Sequence, residues 1–147
     1  MSEGNKVIVR RYFEGILDGG DLDLVYEIFD PQYVLHDPNS SQEVRGLEGS
    51  RQFVGVFRSA FPDIAHTIED QIAEGDKVVT RLRARATHKG ELMGILPTGK
   101  EVTIRGISIW RIANGKIREC WVNYDALGLM QQLGVIPESK EQPSLTV

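Results

Sequence analysis

From Gly4 to Leu17 the apolar residues Val9, Tyr12, Phe13, Ile16 and Leu17 recur at helical spacing, with Arg10, Arg11 and Glu14 between them. This pattern predicts an amphipathic helix that Gly19-Gly20 stops. Asp21 fits the N-cap of a short second helix carrying Leu22, Val25, Ile28 and Phe29, which ends before Pro31. A third helix is predicted from about Gly49 to Phe61, its buried stripe formed by Phe53, Val54, Phe57 and Phe61 before Pro62 ends it. Between the second and third helices, Tyr33 to His36 reads as a short strand entering the turn Asp37-Pro38-Asn39-Ser40.

The second half changes period. Ile64, His66, Ile68, Asp70 and Ile72 alternate with Ala65, Thr67, Glu69 and Gln71, and Gly75-Asp76 turns the chain into a longer alternating run. In that run Val78, Thr80, Leu82, Ala84, Ala86 and His88 share one face, while Lys77, Arg81, Arg83 and Arg85 share the other. The segment Gly90 to Lys100 is a glycine-rich loop, followed by a third run to Ile112. Asn114-Gly115 is a two-residue hairpin signal joining it to a last strand, Lys116 to Tyr124, and Leu127 to Leu133 forms a terminal helical segment. Helices first and a strand meander afterwards predict an α+β fold: a curved antiparallel sheet forming a cone, closed by the N-terminal helices around an apolar pocket. The 147 residues are expected to make one domain, 1–137, with a polar, frayed tail at 138–147.

Composition narrows the chemistry. At 41% hydrophobic and 26% charged residues the chain is that of an ordinary globular protein, with no apolar run near the ~20 residues that span a bilayer. Neither a signal nor a transit segment is read at the start, so a soluble cytoplasmic protein is expected, with no membrane partner. One cysteine, Cys120, excludes an intrachain disulfide and a cysteine-rich zinc site, and its spacing to the three histidines matches no metal motif. A net charge of −4 and the absence of aromatic residues among Arg81, Arg83 and Arg85 argue against nucleic acid. That arginine face, with Val79 beside it, is read instead as solvated or as the interface of a homodimer.

Three stretches carry a resemblance: Val9-Arg10-Arg11-Tyr12-Phe13 with Gly20-Asp21-Leu22; Gly94-Ile95-Leu96-Pro97-Thr98-Gly99-Lys100; and Asn114-Gly115-Lys116-Ile117 through Asp125 to Gln131-Gln132-Leu133-Gly134. Together they resemble the SnoaL-like polyketide cyclases, or ester cyclases, of the superfamily with the fold of nuclear transport factor two, over about residues 5 to 136. The resemblance implies intramolecular aldol closure of a polyketide ring without metal or organic cofactor. It also implies a carboxylate on the last strand as general acid and base. Anchored on the shared hairpin, that carboxylate position is held here by Val122, and a pocket histidine of some members aligns with Ser108. Valine transfers no proton. A non-catalytic binding protein of the same fold therefore stands beside the cyclase, isomerase or lyase reading, and a steroid-isomerase-like or epoxide-hydrolase-like enzyme is related in fold.

If proton transfer survives, His88, on the face of Val78 and Leu82, or Asp125, at the end of the last strand, is the candidate base. Arg105 and Asn123 are the candidate donors to an enolate. Each has a plainer reading: Asp125 as a helix N-cap, Arg105 in an ion pair, Asn123 satisfied by backbone, and His88 solvated or bonded to the next loop. His66 reads as a satisfied core histidine, while His36 could reach the pocket rim. Phe13, Phe57, Phe61, Met93, Trp121 and Val122 are the expected pocket wall, receiving a small apolar or aromatic carbonyl ligand. A two-residue turn at Asn114-Gly115 puts Trp121 and Asn123 on the face of Ser108, and Val122 on that of Arg105 and Ile107; a one-residue bulge would reverse this.

Overall fold

In the computed structural model, which describes residues 2–137, helix α1 (Ser2–Arg11) runs without interruption into a π-helical stretch, Tyr12–Asp18. Their apolar stripe explains the burial of Val9, Tyr12, Phe13, Ile16 and Leu17 against the sheet. The chain then forms α2 (Leu24–Ile28), β1 (Phe29–His36), a two-residue β2 (Val44–Arg45) and α3 (Gly46–Ala60). Strands β3 (Ala65–Glu74), β4 (Lys77–Thr87), β5 (Glu101–Ala113) and β6 (Lys116–Tyr124) follow, and α4 (Ala126–Leu133) closes the described chain. The tail expected at 138–147 lies outside the described residues.

The six strands form one unclosed sheet in the order β2-β1-β6-β5-β4-β3. Neighbours are antiparallel as expected, except that β1 lies parallel to β6. The Gly75 turn (φ +60°) and the Asn114-Gly115 turn (φ +52° and +76°) adopt the left-handed backbone that tight hairpins require.

Two bulges decide which side chains enter the core. Arg111 pairs with Glu119 but Ile112 pairs with Ile117, so Arg118 is an extra residue in β6. Beyond it Ser108 faces Val122 and Trp110 faces Cys120, the reverse of the register expected from a plain two-residue turn. In β3, Ile68 pairs with Leu82 and Asp70 with Arg81, making Glu69 the extra residue; Gln71 then points inward and Ile72 is left 60% exposed.

The concave face of the sheet packs on the helices in two adjoining cores. The larger holds Val9, Tyr12, Ile16, Phe29, Val54 and Trp110; the smaller lies beneath the 88–100 loop, around Phe61, Leu92, Val102, Leu129 and Leu133. Gly90 locks that loop down, because a Cβ there would stand 2.0 Å from the Ser59 carbonyl oxygen.

Candidate functional site

A cavity of about 100 Å³ opens between the two cores, bounded by the helices on one side and by β1, β3, β4, β5 and β6 on the other. Its wall is mostly aromatic and aliphatic, with Phe13, Phe53, Phe57, Leu82, Trp110 and Val122 prominent. The residues of its wall that carry polar side-chain groups are Tyr12, Tyr33, His66, Ser108, Cys120 and Tyr124. Burial pushes the Tyr12 and Tyr33 phenols and the Cys120 thiol well above their ordinary range. Burial, aided by the charge of Asp37, likewise raises Tyr124. At neutral pH these four groups are neutral hydrogen-bonding groups. Ser108 accepts the Trp110 Nε1–H at 2.8 Å, which leaves its own hydroxyl proton free to aim elsewhere.

His66 is different, because it is held by a carboxylate. Its Nδ1 lies 2.6 Å from Asp18 Oδ1, and its backbone N–H donates to Asp18 Oδ2 at 2.9 Å. A carboxylate only accepts, so Nδ1 carries the proton of that bond, and in a neutral ring Nε2 is the nitrogen with the lone pair. The His66 side chain is 8% exposed and its ring lies 5.1 Å from that of Phe13. Asp18 reaches it because the chain ends its helix in π geometry there, and Arg58 from α3 ties the end down by donating to the carbonyls of Leu17 and Asp18. A carboxylate–imidazole pair at the wall of an apolar chamber can take a proton from carbon and return it to oxygen.

The residues that the sequence singled out divide between this cavity and other places. Phe13, Phe57 and Val122 line it. His88 does not: it is fully buried in the smaller core against Phe61, with Nδ1 accepting from the Thr98 backbone N–H at 3.2 Å, so it fastens the 88–100 loop. Phe61 belongs to that same core, and Met93 stands 60% exposed at the loop tip. Asp125 caps α4, accepting from Gly128 N at 2.8 Å, and lies outside the cavity. Replacing Asp125 by alanine is expected to cost about 1 kcal/mol in a denaturant titration, with no change in ligand affinity. Arg105 and Asn123 are exposed on the convex face, where the Arg118 bulge turns Asn123 and Trp121 outward.

His36 is on that convex face too. It stacks on Trp121 and sits between Glu119 (2.6 Å) and Glu43 (3.4 Å), while Arg111 holds the other side of Glu119 at 3.0 Å. Burial alone would raise the Glu119 carboxyl, but the bonds from His36 and Arg111 outweigh it and hold the group below the usual carboxylate range. A lowered folded-state pKa means stability present above the unfolded carboxylate range and lost as pH falls through the folded value. The melting-temperature gap between the wild type and Glu119→Gln is therefore expected to be open above the ordinary carboxylate range and to close as the pH falls below it. A gap that is constant with pH would refute this coupling.

His66 with Asp18 was the pair that the residue pattern did not bring together. The alternation of β3 put His66 on the inward face, but nothing in the sequence linked it to an acid 48 residues earlier. Among the described residues no group of three His, Cys, Asp or Glu side chains is arranged to hold a metal ion, and no helix is long and apolar enough to cross a membrane.

An open six-stranded sheet curled around an apolar cavity and packed by helices defines a fold of the nuclear transport factor two type. The SnoaL-like polyketide cyclase model matches residues 6–133, and the chain belongs to that family. Aklanonic acid methyl ester cyclase DauD of Streptomyces sp. (strain C5) is 33% identical over 134 residues, covering 86% of this chain and 80% of that protein. Nogalonic acid methyl ester cyclase of Streptomyces nogalater is 31% identical over 116 residues, covering 78% of this chain and 87% of the other. A structure from Jannaschia sp. CCS1, assigned to the SnoaL-like polyketide cyclases, superposes with a TM-score of 0.84 at 27% identity, covering 92% of this chain and 95% of its own.

Proposed function

We propose that this protein is a cyclase or isomerase acting without metal or organic cofactor on an apolar carbonyl compound of polyketide type, with His66 as the acid/base group. The observation that carries this reading is the His66–Asp18 pair on the wall of an apolar cavity. Nε2 of His66 takes a proton from a carbon flanked by carbonyls, and the imidazolium so formed is stabilised by Asp18. The carbanion closes on a ketone carbon within the same molecule. Ser108 and Tyr12 are the neutral donors available to the resulting alkoxide, which recovers the proton from His66 Nε2–H. Product and substrate are isomers, and the enzyme returns to its starting state.

The role expected for His88 or Asp125 passes to His66 in this reading, because neither of those two reaches the cavity. Arg105 and Asn123, on the far face, supply no donor. The non-catalytic alternative rests on Val122, which offers hydrocarbon where the family resemblance implies a carboxylate. Incubation with aklanonic acid methyl ester, the compound named for the relative, distinguishes them. Conversion to an isomer of equal mass supports catalysis, whereas saturable binding with no isomer formed favours the binding module. Half-exposed Ile107 and Ile109 support a homodimer through the convex face.

A further inference from the structure

His66 and Phe13 form a wall common to two hollows of the molecule. A second, polar groove of about 510 Å³ lies between α1 and β3, and its wall shares two residues with the cavity, Phe13 and His66. Its other polar groups are Lys6, Arg10, Glu14, Glu69, Asp70 and Gln71, with Glu69 paired to Arg81 at 3.5 Å. Two irregularities of the backbone border it: the π-helical stretch supplies Phe13 and Glu14, and the Glu69 bulge in β3 sets the direction of Asp70 and Gln71. Such distortions of regular structure cluster beside working sites, where they re-aim side chains. The cavity by itself holds little more than one small ring, since each water-sized share of liquid is about 30 Å³.

Resting on the reading of His66 as the reactive group, we infer that the substrate lies across His66. Its apolar end fills the cavity, and an uncharged arm bearing hydroxyl and carbonyl groups lies in the groove. The balance of the groove selects that chemistry. Lys6 and Arg10 offer donors to a carbonyl, and Glu14 and Asp70 accept from a hydroxyl, while Glu69 is engaged by Arg81, so neither a purely anionic nor a purely cationic arm is matched. Arg10 has no carboxylate within ion-pair distance among the described residues and is the donor left open. The arrangement places the bond to be made at the junction, where the apolar and polar halves of the molecule join.

Two probes test this by protein NMR: methyl 3-hydroxy-5-phenylpentanoate, and butylbenzene, which keeps the ring but lacks the polar arm. The hydroxy ester is expected to shift the amide signals of Ser108 and Val122 on the cavity side together with those of Asp70 and Gln71 on the groove side. Butylbenzene is expected to shift only the former. Arg10→Ala, at a half-buried position on the groove wall, should weaken the hydroxy ester about fivefold, the effect of one partly exposed charge-assisted hydrogen bond, and leave butylbenzene unchanged. Shifts confined to one side, equal affinity in Arg10→Ala, or no binding of the hydroxy ester would overturn the inference. Failure of the catalytic reading looks different: the hydroxy ester still spans both sides while His66→Gln keeps full turnover.

Discussion

His66→Gln is expected to lower kcat for isomerisation of aklanonic acid methyl ester by about 10²- to 10⁴-fold, the range of a positioned general base, while KM changes little. Glutamine keeps the size and a donor for Asp18 but cannot accept a proton from carbon. The fold should tolerate the change, since Asp18 Oδ2 still accepts from the backbone N–H of residue 66, and a loss of about 1 kcal/mol covers one weakened hydrogen bond. Asp18 acts on the reaction only through the imidazole and is a positioning residue. Asp18→Asn should therefore cost less, about 10- to 100-fold in kcat, through a misplaced ring, with Asp18→Glu restoring part of it. Unchanged kcat in His66→Gln, with wild-type turnover established, would remove the histidine from the mechanism.

The second large effect is structural. Trp110 is 3% exposed, its ring packs against Tyr12 and Phe13 at 5.0 and 5.8 Å, and its indole N–H is bonded to Ser108. It is the partition between cavity and deep core. Trp110→Ala is expected to cost about 3–5 kcal/mol, the usual range for an aromatic deleted from a packed interior. In a chain of this length that lowers the melting temperature by about 10 °C, readable by calorimetry. The space released adjoins the cavity, so the variant should bind larger aromatic ligands than the wild type. A loss below about 1 kcal/mol would mean that the helices close over the gap without penalty.

Much of this architecture was legible because hydrophobic period and turn chemistry agree. The 3.6-residue stripes gave α1 and α3, strict alternation gave the inward face of β4 from Val78 to His88, and Asn114-Gly115 gave the last hairpin. What failed was parity in two strands. The identity of Arg118 and Glu69 does not reveal that each is surplus to its ladder, since any exposed residue can fill that role, yet each reverses the facing of everything beyond it in its strand. Trp121 and Asn123 were lost from the site for that reason and Cys120 was gained, while Val122 kept the place in the wall expected of it. His88 was correctly placed inside, but facing inward is not facing the cavity: the sheet covers two cores, and only one borders the space. The parallel pairing of β1 with β6 and the joining of Asp18 to His66 are contacts between distant segments that no local pattern encodes.

The π-helical stretch makes the spacing between Tyr12 and Asp18 a length marker. Removing one residue between Tyr12 and Asp18 would let α1 continue as an ordinary helix, turning all that follows by about 100° and drawing it back about 1.5 Å. Val9 and the first turns would keep their seats, but the carboxylate would swing off the imidazole. A single-position gap at this point in a related sequence therefore marks a protein whose β3 histidine, if present, has lost its acid. An ungapped relative with both residues inherits the pair.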